Sequence, residues 1–128
     1  MSSNAPSGTG VIILVVDDDA LITLNTADIL KDMGHTALEA YSGREALELL
    51  AAHPEIALVI TDYGMPAMNG GELAQAARAL RPGLAVLLVT GYAELPDDAE
   101  CDLPRLEKPF SQEELARRVG ELLAATAG

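Results

Sequence analysis

The chain alternates between short apolar runs and longer stretches in which apolar residues recur at helical spacing. The short runs lie at residues 11–16, 35–40, 57–61, 84–89 and 103–106. Runs of this length that are rich in β-branched residues and bounded by glycine or proline predict strands buried on both faces. Their alternation with amphipathic helices predicts an α/β fold, in which a parallel sheet is covered by helices on both faces through right-handed crossovers.

Capping residues mark where several of the helices begin. Ser42 is a suitable N-cap for the second helix, and a third helix is expected at about residues 71–81. Ser111 can cap the last helix, with Glu114 as its capping-box partner. Residues 92–102 are polar and acidic, and we expect at most a short helix there.

Composition narrows the class of protein. A chain of 128 residues can form one domain with a proper core, and we expect it at residues 11–125, after a disordered lead at 1–10 and before a tail at 126–128. Eight basic residues against 20 acidic ones give a net charge of −12, which argues against nucleic acid or an anionic membrane as partner. No stretch has the length and apolar character of a membrane span, and the lead lacks signal-peptide character. The single cysteine, Cys101, fits a reducing compartment, so we expect a cytoplasmic protein.

Ionisable and hydroxyl side chains stand where four of the predicted strands end. The first strand leads to Asp17 and Asp18, the third to Asp62, the fourth to Thr90 and the fifth to Lys108. Parallel strands end on a common rim, which is where open α/β folds bind their ligands. We therefore expect these five side chains to converge on one shallow cleft.

The chemistry of this set is that of phosphoryl transfer. Carboxylates packed together repel one another unless a proton or a cation joins them. A set of oxygen ligands without histidine or cysteine is typical of a site for Mg²⁺, with Mn²⁺ as an alternative ion. Lys108 and Thr90 could then hold an anionic group, and Asp62 could become an aspartyl phosphate.

Each of these residues also has a simpler interpretation when it is taken alone. Asp62 could merely begin a turn, because glycine and proline follow it closely. Asp19 is expected to be the N-cap of the first helix. Thr90 could be a turn residue, and Lys108 an ordinary surface lysine. The placement of matched groups at four strand ends favours a shared site over these separate explanations.

The segments VVDDD, TDYGMPAMNG, VTG and EKPF resemble the receiver domain of two-component response regulators, and the resemblance extends over residues 11–125. It implies a flavodoxin-like (βα)5 sandwich with a five-stranded sheet in the order 2-1-3-4-5. It also implies a signalling module, and not a turnover enzyme, that takes a phosphoryl group from a histidine kinase or a histidine phosphotransfer domain. VTGY followed by a shortened segment is similar to the receivers attached to hybrid sensor kinases.

The resemblance also implies a role for each residue of the cleft. Asp62 corresponds to the phosphoacceptor, while Asp17, Asp18 and the backbone carbonyl of Gly64 correspond to ligands of Mg²⁺. The remaining correspondences are the switch hydroxyl at Thr90, the phosphate-pairing lysine at Lys108 and a cis peptide bond before Pro109.

Two positions depart from the family pattern. Arg105 stands where many receivers have an aromatic switch residue, which puts the usual aromatic-coupled readout in doubt. Tyr92 places a bulky side chain near the phosphoryl site, and we hypothesise that it shields an aspartyl phosphate from water. Since no output domain is recognised in these 128 residues, we expect the signal to pass through contact with a target protein.

Two other functions remain open on the sequence alone. One is a phosphatase of the haloacid dehalogenase type, with Asp17 as nucleophile and Asp19 as general acid. Leu21 occupies the threonine position of that motif, and the chain has no room for a cap domain. The other is a pseudo-receiver, a binding scaffold that is never phosphorylated, although the intact acidic pair, Asp62 and Lys108 count against it.

Overall fold

The computed structural model describes residues 10–91 and 104–127, with side chains as far as residue 124. Its sheet contains the five strands β1 (Ile12–Val16), β2 (Thr36–Ala40), β3 (Ile56–Asp62), β4 (Ala85–Thr90) and β5 (Arg105–Glu107). All pair in parallel, in the order β2-β1-β3-β4-β5, which confirms the predicted sheet and strand order.

The described residues also form four helices, α1 (Ala20–Asp32), α2 (Gly43–Ala52), α3 (Gly70–Leu80) and α4 (Gln112–Ala127). None of these helices combines the length and the apolar character needed to cross a bilayer. The short helix considered for residues 92–102 falls outside the described part of the chain, and so do residues 1–9 of the lead that was predicted at residues 1–10.

Hydrophobic cores fill both sides of the sheet because alternate residues of a strand point to opposite faces. On one face Val59 of β3 packs with residues of α2 and α3, among them Leu50 and Leu73. On the other face Ile60 packs with residues of α1 and α4, among them Leu30. The result is the three-layer sandwich that the strand and helix pattern predicts.

Two strands continue one residue further toward the carboxyl edge of the sheet than the apolar runs indicate. Asp62 pairs with Val89 and is the last residue of β3, and Thr90 is the last residue of β4. The parallel ladder therefore fixes the backbone of both polar residues. The fifth strand was predicted at residues 103–106 but is formed by Arg105–Glu107, and Pro104, which has no N–H, only accepts a hydrogen bond from Leu88.

The predicted helix caps are confirmed at Asp19 and Ser42, whose side chains accept backbone N–H groups at the starts of α1 and α2. Ser111 and Glu114 form the expected capping box before α4. The start of α3 was predicted one residue late, since Asn69 is its N-cap and forms a capping box with Glu72.

Candidate functional site

Three carboxylates meet at the carboxyl edge of the sheet. Asp17 follows β1, Asp18 comes next to it, and Asp62 ends β3 on the neighbouring strand. One oxygen from each of the three side chains lies within 4.8 Å of the other two. Asp17 and Asp62 are each only 5% exposed, whereas Asp18 is exposed. The structure therefore brings together three of the five side chains that were predicted to converge.

Hydrogen bonds hold the first aspartate of the group in a defined orientation. The carboxylate of Asp17 accepts the backbone N–H of Asp19 at 2.9 Å. The buried hydroxyl of Thr23, one turn into α1, lies 3.2 Å from the Asp17 carbonyl and 2.9 Å from the Asp19 carbonyl. Since the Asp19 side chain caps α1, it is already engaged and is poorly placed to act as the general acid of a phosphatase.

Lys108 provides the positive charge of the site. Its Nζ lies 2.9 Å from Oδ1 of Asp62 and 3.7 Å from Oδ2 of Asp17. Its backbone N–H donates to the Thr90 carbonyl at 2.8 Å, which ties the end of β4 to the residue after β5. The cis peptide bond expected before Pro109 is present.

The surroundings of Asp17 disfavour its ionised form. Burial is the main cause, and together with the nearby carboxylates of Asp62 and Asp18 it raises the pKa of Asp17 from 3.8 to about 6. The N–H of Asp19 and the ammonium of Lys108 act in the opposite direction and do not cancel the effect. The protein thus holds carboxylates together at a cost in free energy when no cation joins them.

Thr90 contributes a hydroxyl with no hydrogen-bonding partner among residues 10–91 and 104–127. The residue is fully buried, and its Oγ1 is one of the few buried polar side-chain atoms there without a partner. A buried hydroxyl normally pairs, since leaving it unpaired costs about 1–3 kcal/mol. Oδ1 of Asp62 likewise receives no well-directed hydrogen bond from this part of the chain and has the Lys108 ion pair as its close contact.

The residues present fit a hard divalent cation. Three carboxylate oxygens stand close enough to share one ion, and no softer ligand lies among them. Such an ion would offset both the burial and the carboxylate repulsion that raise the pKa of Asp17. Gly64 lies two residues after Asp62 in an exposed loop, and its carbonyl as a further ligand remains a prediction.

Of the two residues that depart from the family pattern, Arg105 lies in the described part of the chain and Tyr92 does not. Arg105 is half-buried and, together with Thr90 and Lys108, lines a cavity of about 500 Å³ between the sheet edge and α4. Tyr92 and Cys101 fall within residues 92–103, outside the described part of the chain. The shielding role of Tyr92 therefore stays a hypothesis.

Sequence reasoning missed two residues that shape the site. Thr23 fastens α1 to the loop that carries Asp17, and a threonine on the buried face of a helix gives no sign of that contact. Asn69 starts α3 directly behind Asp62, and here the sequence did hold a signal. Asparagine followed three residues later by glutamate is a capping-box pattern, and it identifies the helix start that the pair of glycines obscured.

Comparison with known proteins agrees with this geometry. The family model described as response regulator receiver domain matches residues 13–120. The response regulator receiver protein CpdR of Brucella abortus is 32% identical over 117 residues, a match that covers 88% of this chain and 97% of CpdR. The sensor kinase CckA of the same organism is 38% identical over 124 residues, but this chain spans only 13% of that kinase.

Solved structures give the same result. A response regulator receiver protein from Sinorhizobium medicae superimposes with a TM-score of 0.82 at 32% identity, covering 94% of this chain and 99% of that one. The receiver domain of the hybrid histidine kinase CckA superimposes with a TM-score of 0.77 at 32% identity, covering 88% and 98%. The resemblance to receivers, including those of hybrid kinases, is confirmed.

Proposed function

The chain belongs to the response regulator receiver family, and we propose that it takes a phosphoryl group onto Asp62 from a phosphohistidine, in a reaction that depends on Mg²⁺. The observation that carries the proposal is the setting of Asp62. Its carboxylate is buried, paired with Lys108 at 2.9 Å, and gathered with two other carboxylates. The next strand of the sheet ends in Thr90, whose hydroxyl has no partner in the described part of the chain. These parts make a nucleophile, a cation, a metal-binding acidic pair and a hydrogen-bond donor available at one edge of the sheet.

The proposed step exchanges one bond to phosphorus for another. A carboxylate oxygen of Asp62 attacks the phosphorus, the P–N bond to the donor imidazole breaks, and the imidazole leaves with the bonding electron pair and takes up a proton. When bound by Asp17, Asp18 and Asp62, Mg²⁺ would supply positive charge to the phosphoryl oxygens. Lys108 can exchange its contact with Asp62 for one with a phosphoryl oxygen, and Thr90 can donate its hydroxyl proton to another.

We propose a protein donor, either a histidine kinase or a histidine phosphotransfer domain. The surface beside the pocket supports this, because Leu21 is 73% exposed and Leu24 is 49% exposed on α1. With Phe110 they line a largely apolar groove of about 580 Å³ that also reaches Lys108. A helix that presents a phosphohistidine to Asp62 could cover these side chains. The acidic surface argues against nucleic acid as a partner, the target downstream is expected to be a protein, and the single cysteine supports a cytoplasmic setting.

Intact-mass analysis after incubation with acetyl phosphate tests the phosphoacceptor role. We expect native protein to gain one phosphoryl group with Mg²⁺ and none with EDTA, and the Asp62→Asn variant to gain none. Absence of an adduct on the native chain would favour the pseudo-receiver. An adduct that survives in the variant, with turnover of the phosphodonor, would favour the phosphatase with Asp17 as its nucleophile.

A further inference from the structure

Two consecutive glycines open α3, directly after the loop that carries the phosphoacceptor. Glycine inside a helix is less favourable than alanine by about 1 kcal/mol, so Gly70 and Gly71 weaken the start of this helix. Neither needs to be glycine for its backbone conformation, because the positive-φ glycines of the described residues are Gly34 and Gly83. A different constraint must therefore explain why glycine stands at one or both of these positions.

That constraint is space, and it applies to Gly70 alone. A Cβ atom built on Gly70 would lie 2.6 Å from the carbonyl oxygen of Asp62 and 2.9 Å from Cα of Tyr63. A Cβ atom built on Gly71 would meet its nearest neighbours, the side chains of Asn69 and Tyr63, at 3.4 and 3.5 Å, which is ordinary contact. Of the two positions in α3 without a side chain, only Gly70 therefore lies against the backbone of Asp62.

We propose that Gly70 is a positioning residue for the phosphoacceptor. The N–H of Gly70 donates to the Tyr63 carbonyl at 2.8 Å, and the N–H of Tyr63 donates to the Val89 carbonyl at 2.8 Å. The first turn of α3 is thus joined through Tyr63 to the end of β4. Because Gly70 packs against the peptide that follows Asp62, the position of the α3 start determines the orientation of the Asp62 carboxylate. The inference rests on the proposed function, since it takes Asp62 to be the phosphoacceptor.

The surroundings leave no easy way to relieve a side chain at this position. Every atom that the new Cβ would meet closest belongs to backbone, and not to the movable end of a side chain. The buried residues Leu73 and Ala77 hold α3 against the sheet, and the capping box at Asn69 fixes where the helix begins. A methyl group must therefore displace either the Asp62 peptide or the first turn of α3, by an amount on the order of 0.5–1 Å, and either shift reaches the loop after Asp62.

A shift of this size is large for both metal coordination and phosphoryl transfer. Mg²⁺ requires near-ideal octahedral geometry with ligands at about 2.0–2.1 Å, so it tolerates little displacement of a carboxylate. A misplacement of about 1 Å between reacting groups can lower a rate by about 10²-fold. Alanine gains helix propensity at either glycine, but only at Gly70 does a collision offset that gain, so the effect on stability is measured separately from the effect on the rate.

The test compares Gly70→Ala with Gly71→Ala, two identical changes on adjacent residues of one helical turn. For each we would measure the free energy of unfolding in urea, the rise in melting temperature with Mg²⁺, and the rate of adduct formation from acetyl phosphate across Mg²⁺ concentrations. We expect Gly71→Ala to stay within about twofold of native protein in rate. Gly70→Ala should be slower by about tenfold or more at saturating Mg²⁺, need more Mg²⁺ for half its maximal rate, and show a smaller Mg²⁺-dependent rise in melting temperature, although it is folded.

Equal rates and equal Mg²⁺ responses for the two folded variants would overturn the proposal. If native protein forms no adduct, the phosphoacceptor function fails, but the Mg²⁺-dependent melting temperatures still decide whether Gly70 positions the acidic group. If Gly70→Ala does not fold, it is combined with Gly120→Ala, whose new Cβ has no neighbour within 4 Å and should stabilise α4. If the double variant still does not fold with Mg²⁺ present, Gly70 is required for folding as a whole and not specifically for positioning Asp62. That result would also overturn the proposal.

Discussion

Replacing Asp17 by asparagine should stabilise the metal-free protein at neutral pH. The pKa of Asp17 is raised to about 6, chiefly by burial, so its ionised form is disfavoured in the folded state and not in the unfolded chain. An asparagine side chain at this position would keep an oxygen that can accept the Asp19 N–H, and it would remove one charge from the cluster. The change thus removes the repulsive charge and leaves the loop geometry largely intact.

The magnitude follows from the difference between the folded and unfolded pKa values. Between 3.8 and about 6 the folded state binds this proton and the unfolded state does not, so rising pH lowers stability across this window. At 1.36 kcal/mol for each pH unit, the full effect above pH 6 is about 3 kcal/mol, and water at the open side of the pocket should reduce it to about 1–3 kcal/mol. We expect the advantage of the variant to appear as the pH rises from 4 to 7 and to be nearly absent at pH 4.

Urea denaturation in EDTA at a series of pH values measures this directly. Asp28→Asn, an exposed change on α1, is the control and should shift the free energy of unfolding by less than about 0.5 kcal/mol at every pH. Saturating Mg²⁺ should remove most of the advantage of Asp17→Asn, because the ion binds the native acidic group better. A variant that is less stable than native protein at pH 7.5 in EDTA, or a difference that does not change with pH, would refute the reasoning.

Three further outcomes are expected. Asp62→Asn should raise the melting temperature in EDTA, though by less than Asp17→Asn because it also loses the 2.9 Å contact with Lys108, and it should abolish most of the stabilisation by Mg²⁺; a lower melting temperature in EDTA would contradict a repulsive pocket. Gly120→Ala should raise the free energy of unfolding, measured in urea, by about 0.5–1 kcal/mol, since α4 gains helix propensity and the new methyl group meets no neighbour. No gain in stability would contradict this argument. His35 accepts the Val11 N–H through Nδ1 at 3.1 Å, and burial lowers its pKa below 6.5. Its contribution to stability should therefore be full above pH 6.5 and be lost as the pH falls below it. Asp17 acts in the opposite direction over the same pH range, so the measured quantity is a difference: from pH 7 to 5, the free energy of unfolding should change more favourably in His35→Gln than in native protein.

The sequence predicted the sheet and the members of the site because both follow from local patterns and one topological rule. Apolar runs identified the strands, and the rule that parallel strands end on one edge brought Asp17, Asp62 and Lys108 together. Strand ends were less certain, since polar residues such as Asp62 and Thr90 continue the parallel ladder although they interrupt the apolar run. The hydrogen-bond register decides where a strand ends, and it depends on the neighbouring strand.

Contacts between distant segments account for what the sequence did not reveal. The two glycines at the start of α3 look equivalent in the sequence, yet only Gly70 lies against the backbone of Asp62. Likewise, Thr23 appears as one more residue on the inner face of α1, and only the folded structure shows its hydroxyl on the loop that carries Asp17. Such close approaches depend on how a helix is docked, which no local pattern encodes.

The charges at the site explain why a divalent ion suits it. Among the described residues, the three clustered carboxylates are offset by one ammonium, that of Lys108, so two negative charges remain when all three acids are ionised. A proton on Asp17 near pH 6 removes only one of them. Mg²⁺ would offset both, and an arriving phosphoryl group would then meet a site with less negative charge. Burial and repulsion of these carboxylates thus weaken the metal-free fold and favour binding of the ion, so a variant that removes one carboxylate should stabilise the metal-free protein and bind the ion less tightly.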